Sequence, residues 1–338
     1  MKYFDAFSGY GGFSLGIQRA YELSKMGIES ENSTNSSSRT SQYRERPLCI
    51  GYSEINKYAI ETYSKHFPEH KNYGDLTKIN AEELPDFDLF TGGFPCQAFS
   101  IAGKRKGFDD TRGTLFFDIA RILRAKRPRL LLLENVKGLL SHDNGKTFST
   151  IISTLDEIGY DLQWQVLNAK HFGVPQNRER VFIVGHLRGT SRPKVFPITG
   201  QSPTTLRQDT KAIALHNTRR IATTSDTVNT LSSTFRGNPD GDGRHAIIQP
   251  VLTPDRVEKR QNGRRFKDDG EPSFTVTAQD KHGVYDGLRI RRLTPTECER
   301  LMGLPDNWTE GVSDTQRYKL CGNGVVVNVV EEIIKRLL

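Results

Sequence analysis

Short apolar runs alternate with longer amphipathic stretches along the first half of the chain. Strands buried on both faces are short and apolar, and the helices that connect parallel strands are amphipathic. The alternation therefore predicts an α/β fold with a mostly parallel sheet that is covered on both sides. The predicted strands cover residues 2–7, 48–53, 87–91, 129–134, 162–167 and 180–185. The predicted helices cover residues 13–23, a stretch ending near 66, 114–126 and 147–158.

The alternation stops at about His186. Residues 186–289 have scattered Gly, Pro and Thr and no long helical period, which predicts a smaller, irregular, β-rich region. A capped helix is predicted over residues 294–302, where Thr294 is the N-cap and Glu297 completes a capping box.

Two further segments set the expected domain bounds. Residues 29–46 are polar and rich in Ser, Asn and Thr, so they are predicted to form a flexible surface loop. Residues 325–338 have the apolar spacing of a helix that packs back on the core. We therefore expect one domain at 1–185, completed by 315–338, and a second domain at 186–314.

The composition adds a charge asymmetry to this division. The chain has 338 residues and a net charge of +8, and residues 186–289 contain 17 Lys and Arg against 11 Asp and Glu. A basic segment beside a nearly neutral core favours a nucleic-acid surface, although a basic surface without a partner would give the same charge. No metal-ligand spacing of Cys and His, no secretory signal peptide and no membrane-length apolar run is present. A reduced, cytoplasmic protein is the expectation.

Cys96 is the first candidate for chemistry. The apolar run 87–91 predicts a strand, Gly92-Gly93 predicts a turn after it, and Pro95 stiffens the backbone beside the thiol. Open α/β sheets bind their ligands beyond the carboxyl ends of the strands, where this cysteine is expected.

Two further segments supply partners for such a thiol. Glu134 ends a strongly apolar strand, where an acid is costly unless it is paired or used, and it could share a proton with a ring nitrogen. Arg178 and Arg180 are predicted to lie on one face of a strand, where they could bind a carbonyl oxygen and a neighbouring carboxylate. The alternative for Glu134 is a structural carboxylate, and the alternative for the two arginines is an exposed basic edge.

The first turn carries signs of a nucleoside cofactor. Gly9, Gly11 and Gly12 permit close approach of a ligand to the backbone, but they do not form the dinucleotide fingerprint, which disfavours a nicotinamide oxidoreductase. Glu54 at the end of the second strand could accept from ribose hydroxyls. Asp75, where a third strand should end, could accept from an adenine amino group. Together they point to an adenosyl cofactor, although each acid alone could be a solvated surface group.

The order of these motifs resembles that of the bacterial-type DNA cytosine-5 methyltransferases. The blocks that carry the resemblance are Phe7-Ser8-Gly9-Tyr10-Gly11-Gly12, Gly93-Phe94-Pro95-Cys96-Gln97, Glu134-Asn135-Val136, Gln176-Asn177-Arg178-Glu179-Arg180, Arg292-Leu293-Thr294-Pro295-Thr296-Glu297 and Gly322-Asn323-Gly324-Val325. They span nearly the whole chain. Gly324 departs from the family pattern, in which serine is usual, and removes one hydroxyl near the cofactor.

The resemblance implies a Rossmann-like methyltransferase domain with a separate target-recognition domain, and a role for each block. Cys96 would attack C6 of a cytosine flipped out of double-stranded DNA, Glu134 would act at N3, and Arg180 would contact the carbonyl oxygen, with Arg178 bracing the site. S-adenosyl-L-methionine would be bound at positions across the blocks: Phe7, Gly9, Gly11, Gly12, Glu54, Ile55, Asp75, Leu76, Pro95, Leu115, Asn323 and Val325.

Residues 186–289 are expected to select the DNA sequence, because they lie outside the matching blocks and carry most of the excess charge. The predicted DNA contacts are Ser100, Arg112, Arg236, Gln279 and Lys281. The first candidate reading loop is 279–283, after a Thr-Val pair, and the second is 235–238, after a Thr-Leu pair.

Two alternatives stay open at this point. A tRNA-methylating branch exists in the same family, and a non-catalytic DNA-binding relative would keep the fold without the chemistry. The resemblance implies a monomer and leaves open an accompanying restriction endonuclease.

Overall fold

A computed structural model describes residues 1–32, 46–95, 115–191, 193–199, 249–255, 264–268, 271–285 and 290–338, with the side chains of 26–32 excepted. These residues divide into two compact units. The first contains Met1–Leu167, Glu179–Ile198 and Val329–Leu338, and the second contains Asn168–Arg178 and Thr199–Asn328. The assignment of a separate function to each region stays a prediction.

The first unit contains a six-stranded sheet. Its strands are β1 (Lys2–Ala6), β2 (Leu48–Ser53), β3 (Leu89–Gly93), β4 (Leu130–Val136), β5 (Tyr160–Asn168) and β6 (Glu179–Leu187). Their order is β2-β1-β3-β4-β6-β5. The β1–β2, β1–β3 and β3–β4 pairs are parallel, and β4–β6 is antiparallel. The predicted α/β fold with a mostly parallel sheet is confirmed.

Helices complete this unit. They are α1 (Gly12–Asn32), α2 (Lys57–His66), α3 (Leu115–Lys126), α4 (Lys146–Ile158) and α7 (Val327–Leu337), which begins in the second unit. The four leucines of β4, Leu130 to Leu133, are fully buried, as a strand covered on both faces requires. This centre of the core fixes the carboxyl end of β4, where Glu134 lies.

Within the described residues, the second unit contains a small antiparallel sheet and two α-helices of its own. Its strands are β7 (Gln249–Leu252), β8 (His282–Tyr285) and β9 (Ile290–Arg292), in the order β7-β8-β9. Its helices are α5 (Pro295–Leu301) and α6 (Asp314–Asn323). The predicted capping box of Thr294 and Glu297 is present at the start of α5.

Four local predictions were wrong in the first unit or at its edge. Gly92 and Gly93 do not form a turn, because they pair with β1 and β4 inside β3. Residues 29–32 belong to α1 and not to a loop. Among the described residues, no strand ends at Asp75: a single parallel bridge joins Tyr52 to Asn72, and Asp75 caps a 3-10 helix at Leu76–Lys78. Arg178 lies before β6 and not within it.

Two more differences concern other segments. Gly283, placed in the reading loop by the sequence, lies inside β8 because it pairs with Val251 and Arg292. The first unit continues past residue 185, since Gln163 and Gln165 on β5 bind the backbone of the 193–198 segment. No helix within the described ranges has the length and apolarity that a membrane span requires.

Candidate active site

Glu134 and Arg180 form an ion pair at the carboxyl end of β4. Arg180 Nε lies 3.0 Å from Glu134 Oε1, and only 8% of Glu134 is exposed. Burying a carboxylate is costly unless a partner compensates the charge, and Arg180 supplies that partner. Gly93 opposite leaves room for the carboxylate, because a Cβ there would lie 3.3 Å from Glu134 Oε2. The pair presents an acceptor and a donor side by side.

Asn135 connects this pair to the segment that leads to Cys96. Its Nδ2 donates to Phe94 O at 2.9 Å, and its Oδ1 accepts from Val136 N at 2.8 Å. The side chain therefore fixes the backbone next to Pro95, which is exposed. Cys96 itself lies outside the described residues, as do Ser100, Arg112, Arg236 and the 235–238 loop.

The described cysteines contrast with the role expected of Cys96. Cys49, Cys298 and Cys321 are free and buried. Burial raises the pKa of Cys49 and of Cys298 to about 12, so neither forms a thiolate near neutral pH.

The glycine turn after β1 is tied to Glu54 at the end of β2. Gly9 N donates to Glu54 Oε2 at 2.9 Å, and Ile55 N and Asn56 N donate to Oε1 at 2.9 and 2.8 Å. A carboxylate has about four acceptor positions, so about one remains for a ligand hydroxyl. The main-chain φ of Gly9 is +54°, and a Cβ there would meet no atom within 4 Å, which leaves open space above the turn.

Asn72 links Glu54 to the segment before Asp75. Its Oδ1 accepts from Glu54 N and Gly74 N, and its Nδ2 donates to Glu54 O at 3.1 Å. Asp75 Oδ1 accepts from Thr77 N and Thr77 Oγ1 at 3.0 and 2.8 Å, which lowers the pKa of the Asp75 carboxyl. The Leu76 side chain is buried in the core, so only its backbone can meet a ligand.

The remaining predicted cofactor positions of this unit differ in exposure. Ile55, next to Glu54, is 72% exposed, so its apolar side chain is accessible to the flat face of a base. Phe7 packs partly against the core with φ of +53°, Gly11 has a positive φ, Gly12 begins α1, and Leu115 begins α3. These features fit an adenosyl cofactor above the first turn.

A buried polar network lies beneath the same turn. Asp5, on β1, is fully buried, and it accepts from Ser14 Oγ at 3.0 Å and from Thr91 Oγ1 at 3.1 Å. Ser14 Oγ lies 2.8 Å from Tyr63 OH, which lies 3.1 Å from His70 Nδ1. Burial raises the pKa of Asp5 to about 7, against the opposing effect of the two hydroxyl donors. The network joins β1 and β3 to the start of α1.

Arg178 occupies a different setting from Arg180. It is buried in the second unit, where it donates to the carbonyl oxygens of Val276, Gly322 and Gly324. The guanidinium therefore donates its hydrogen bonds to backbone groups of the protein itself. Asn323 at the end of α6 is exposed, and Val325 is buried.

The predicted DNA contacts that the structure describes are two. Gln279 is exposed in a turn, and Lys281 Nζ forms an ion pair with Asp255. Burial lowers the pKa of neighbouring His282 to about 4, with Asp280 opposing and Arg292 reinforcing this shift.

Sequence reasoning assigned no role to Asp5, Asn72 or Asn135. A signal was present for two of them, since Asp5 and Asn135 are polar residues within or at the end of apolar runs and must find buried partners. Asn72 has no such signal, because its importance depends on the bridge between residues far apart in sequence.

The comparisons place the chain among cytosine-specific enzymes. A family model described as C-5 cytosine-specific DNA methylase matches residues 1–338. The type II methyltransferase M1.ScrFI of Lactococcus lactis subsp. cremoris is 38% identical over 100% of this chain and 78% of its own. The type II methyltransferase M.HhaI of Haemophilus parahaemolyticus is 35% identical over 98% and 93%. The orphan methyltransferase M.SPRI of Bacillus phage SPR is 35% identical over 86% and 91%.

Solved structures agree at the level of the fold. The Dnmt2 methyltransferase of S. pombe has a TM-score of 0.60 at 20% identity and covers 100% of this chain and 98% of its own. A putative DNA modification methyltransferase encoded within an E. coli prophage has a TM-score of 0.59 at 20% identity, with the same coverage. At these identities the likeness concerns the fold alone.

Proposed function

Because this chain belongs to the C-5 cytosine-specific DNA methylase family, we propose that it transfers a methyl group from S-adenosyl-L-methionine to C5 of a cytosine flipped out of a specific double-stranded DNA sequence. The observation that carries the assignment of its residues is the Glu134–Arg180 pair, next to a backbone that Asn135 holds and that leads directly to Cys96. A nucleophile for C6, a carboxyl group for N3 and a guanidinium for the ring carbonyl oxygen would together activate a pyrimidine at C5.

Cys96 starts the reaction in this account. Its thiolate forms a bond to C6, and the electron pair of the C5–C6 double bond moves to C5, which becomes nucleophilic. Glu134 holds a proton at N3, and Arg180 donates to the ring carbonyl oxygen, so the charge that develops on the ring is neutralised. After methylation the C5 proton is lost to solvent water, the C5–H electron pair re-forms the C5–C6 double bond, and the C6–S bond breaks with its electron pair leaving on the Cys96 thiolate, which restores the aromatic ring.

The cofactor supplies an electrophilic methyl group when it is bound. The described residues that would hold it surround the first turn. The remaining acceptor position of Glu54 would take a ribose hydroxyl, Ile55 would lie against the adenine, and Asp75 would accept from its amino group. The other proposed contacts are Phe7, Gly9, Gly11, Gly12, Leu76, Pro95, Leu115, Asn323 and Val325.

Partners and location follow from the same chemistry. Double-stranded DNA is the substrate, and we expect one copy of the chain to act on it. The relatives are named both as type II and as orphan enzymes, so an accompanying endonuclease is a separate proposal. It is tested by looking for restriction digestion of unmethylated DNA by the source cell. A cytoplasmic location is proposed because Cys96 must stay reduced.

Bisulfite sequencing of DNA from cells that express the chain tests the function. We expect conversion-resistant cytosines at one short sequence, and none in cells that express Cys96→Ser. Parallel mass spectrometry of tRNA provides the competing arm. Methylated tRNA together with unmodified DNA would contradict the proposal and support the tRNA-methylating branch.

A further inference from the structure

Gln176 and Arg178 hold one residue, Val276, by both of its backbone groups. Gln176 Oε1 accepts from Val276 N at 2.9 Å, and Arg178 Nη1 donates to Val276 O at 2.8 Å. The two side chains are 0% and 3% exposed. Buried backbone groups need partners, and these side chains take the place that a neighbouring strand would otherwise have.

The same two side chains reach other segments of the second unit. Gln176 Nε2 donates to Leu301 O at 2.8 Å, and Arg178 Nη2 donates to Gly322 O and Gly324 O at 3.2 and 2.7 Å. A guanidinium has five N–H donors in a fixed plane, so it can bind several carbonyl groups at once. Val276 is thereby fixed to the end of α5 and to residues 322–324.

Gly322 shows how closely these segments meet. A Cβ at this position would lie 2.2 Å from Ala278 N and 2.4 Å from Thr277 C, so any side chain would displace the facing backbone. The 277–278 backbone therefore packs directly on α6, immediately before Asn323.

The segment after Val276 is a turn closed by its own side chains. Thr277 Oγ1 accepts from Asp280 N and donates to Asp280 Oδ2, both at 3.0 Å. Thr277 N donates to His282 Nε2 at 3.2 Å. Gln279 is exposed between these fixed positions, so its direction depends on where the base of the turn is held.

We propose that Gln176 and Arg178 are positioning residues for DNA sequence selection, which set the place of the 277–281 turn so that Gln279 meets a base edge. The inference rests on the proposed function and on the sequence-based prediction that Gln279 and Lys281 contact DNA. It gives Arg178 a role within the second unit in place of the expected bracing of the cytosine site. Arg180 keeps the proposed contact with the cytosine.

Two variants disturb the base of the turn at two different contacts, the hydrogen bond to Val276 and the packing against residues 277–278. Arg178→Lys replaces two separate donor nitrogens, Nη1 and Nη2, by one ammonium nitrogen, which cannot take both positions and so cannot keep all three hydrogen bonds. Gly322→Ala pushes the 277–278 backbone away. Arg317→Lys is the matched control, because Arg317 is a partly buried arginine of the same unit whose described hydrogen bonds go to Glu299 and Thr309.

Hydrogen exchange of the free, full-length protein gives the first readout, which needs no activity. We expect amides 276–282 to exchange at least about tenfold faster in Arg178→Lys and in Gly322→Ala, and at the wild-type rate in Arg317→Lys. Unchanged exchange in both test variants would overturn the proposal. Each test variant serves as the alternative if the other fails to fold.

Sequence selectivity gives the second readout. The ratio of kcat/KM at the mapped site to kcat/KM at a site with one changed base pair should fall about tenfold in both test variants, the lower range of what one base pair usually contributes. Arg317→Lys should keep the wild-type ratio even if its Tm falls as much as that of the test variants. A preserved ratio despite a loosened turn would also overturn the proposal. Failure of the wild-type chain to methylate DNA would instead contradict the proposed function, and the exchange result would still decide whether the turn is held as described.

Discussion

The two units hold their candidate residues by different means. In the first unit, Glu54 and Glu134 lie at the carboxyl ends of strands, where the sheet itself determines their places. In the second unit, irregular segments are held by buried side chains that bind backbone groups far away in sequence, as Arg178 binds Val276 and Gly322. Regular strands make a site predictable from local pattern, whereas a site built on irregular segments depends on particular long-range bonds.

The two arginines of one motif illustrate this difference. Arg180 lies in β6 and pairs with Glu134, and Arg178, two residues earlier, lies before the strand and binds carbonyl groups of the second unit. Alternation places two residues on one face only when both belong to the strand. Their closeness in sequence therefore does not imply that the two arginines have the same role.

The largest expected effect separates chemistry from packing in the first unit. Glu134→Gln keeps the size of the side chain but cannot exchange a proton in the same way. We expect turnover to fall by about 10²–10⁴-fold, the usual contribution of a general acid or base, with nearly normal DNA affinity. Single-turnover kinetics and DNA titration measure the two quantities. A collapse of Tm with weakened DNA binding would mean that the pair is structural.

Asp5 makes the first unit less stable as pH rises. The folded state keeps this carboxyl protonated to about pH 7, whereas the unfolded chain ionises it near pH 4, so the free energy of unfolding decreases between those values. The shift corresponds to about 4 kcal/mol. Asp5→Asn should remove that loss, so the β1 amides, after correction for intrinsic rates, should be better protected than in the wild type at pH 8 and similarly protected near pH 4. Equal protection of the β1 amides in Asp5→Asn and in the wild type at both pH values would contradict this role of Asp5.

His282 should give the second unit the opposite dependence. Its pKa is about 4 in the folded state, so protonation opposes folding, and stability is lost as pH falls from about 6.5 to about 4. The shift corresponds to about 3 kcal/mol. His282→Gln keeps an acceptor for Thr277 N, and it should protect the β8 amides better than the wild type at pH 4.5 but not at pH 8. If the β1 and β8 amides both lose protection as pH changes in the same direction, the opposite pH dependences assigned to the two units are wrong.

The smallest effect concerns the cofactor. Glu54 has about one acceptor position left for a ligand, so Glu54→Ala should weaken S-adenosyl-L-methionine binding by about 1.5–3 kcal/mol, the range for one hydrogen bond to a charged group. Calorimetry measures the change, and Glu54→Gln, which retains an oxygen acceptor, is the matched control. Unchanged affinity in Glu54→Ala would exclude this residue from the cofactor site.

These contrasts also explain how far the sequence could predict the molecule. The leucines of β4 predict a buried strand, and Glu134 does lie near its carboxyl end, although β4 continues two residues beyond the predicted end, to Val136. The extent of β3 was not predictable, because Gly92 and Gly93 favour turns locally and are strand residues only through pairing with β1 and β4. The carbonyl partners of Arg178 lie about 100 and 145 residues away, and no local pattern encodes them.

Covalent trapping tests the central claim most directly. Duplex DNA that carries 5-fluorocytosine at the mapped site has no C5 proton to lose, so an attacking thiolate should remain bound to C6 in the presence of S-adenosyl-L-methionine. We predict a denaturant-resistant complex with the wild-type chain and with Cys49→Ser, whose thiol is buried and inert, and no complex with Cys96→Ser. A complex formed by Cys96→Ser at the wild-type rate, or no complex from an active wild-type enzyme, would contradict the account.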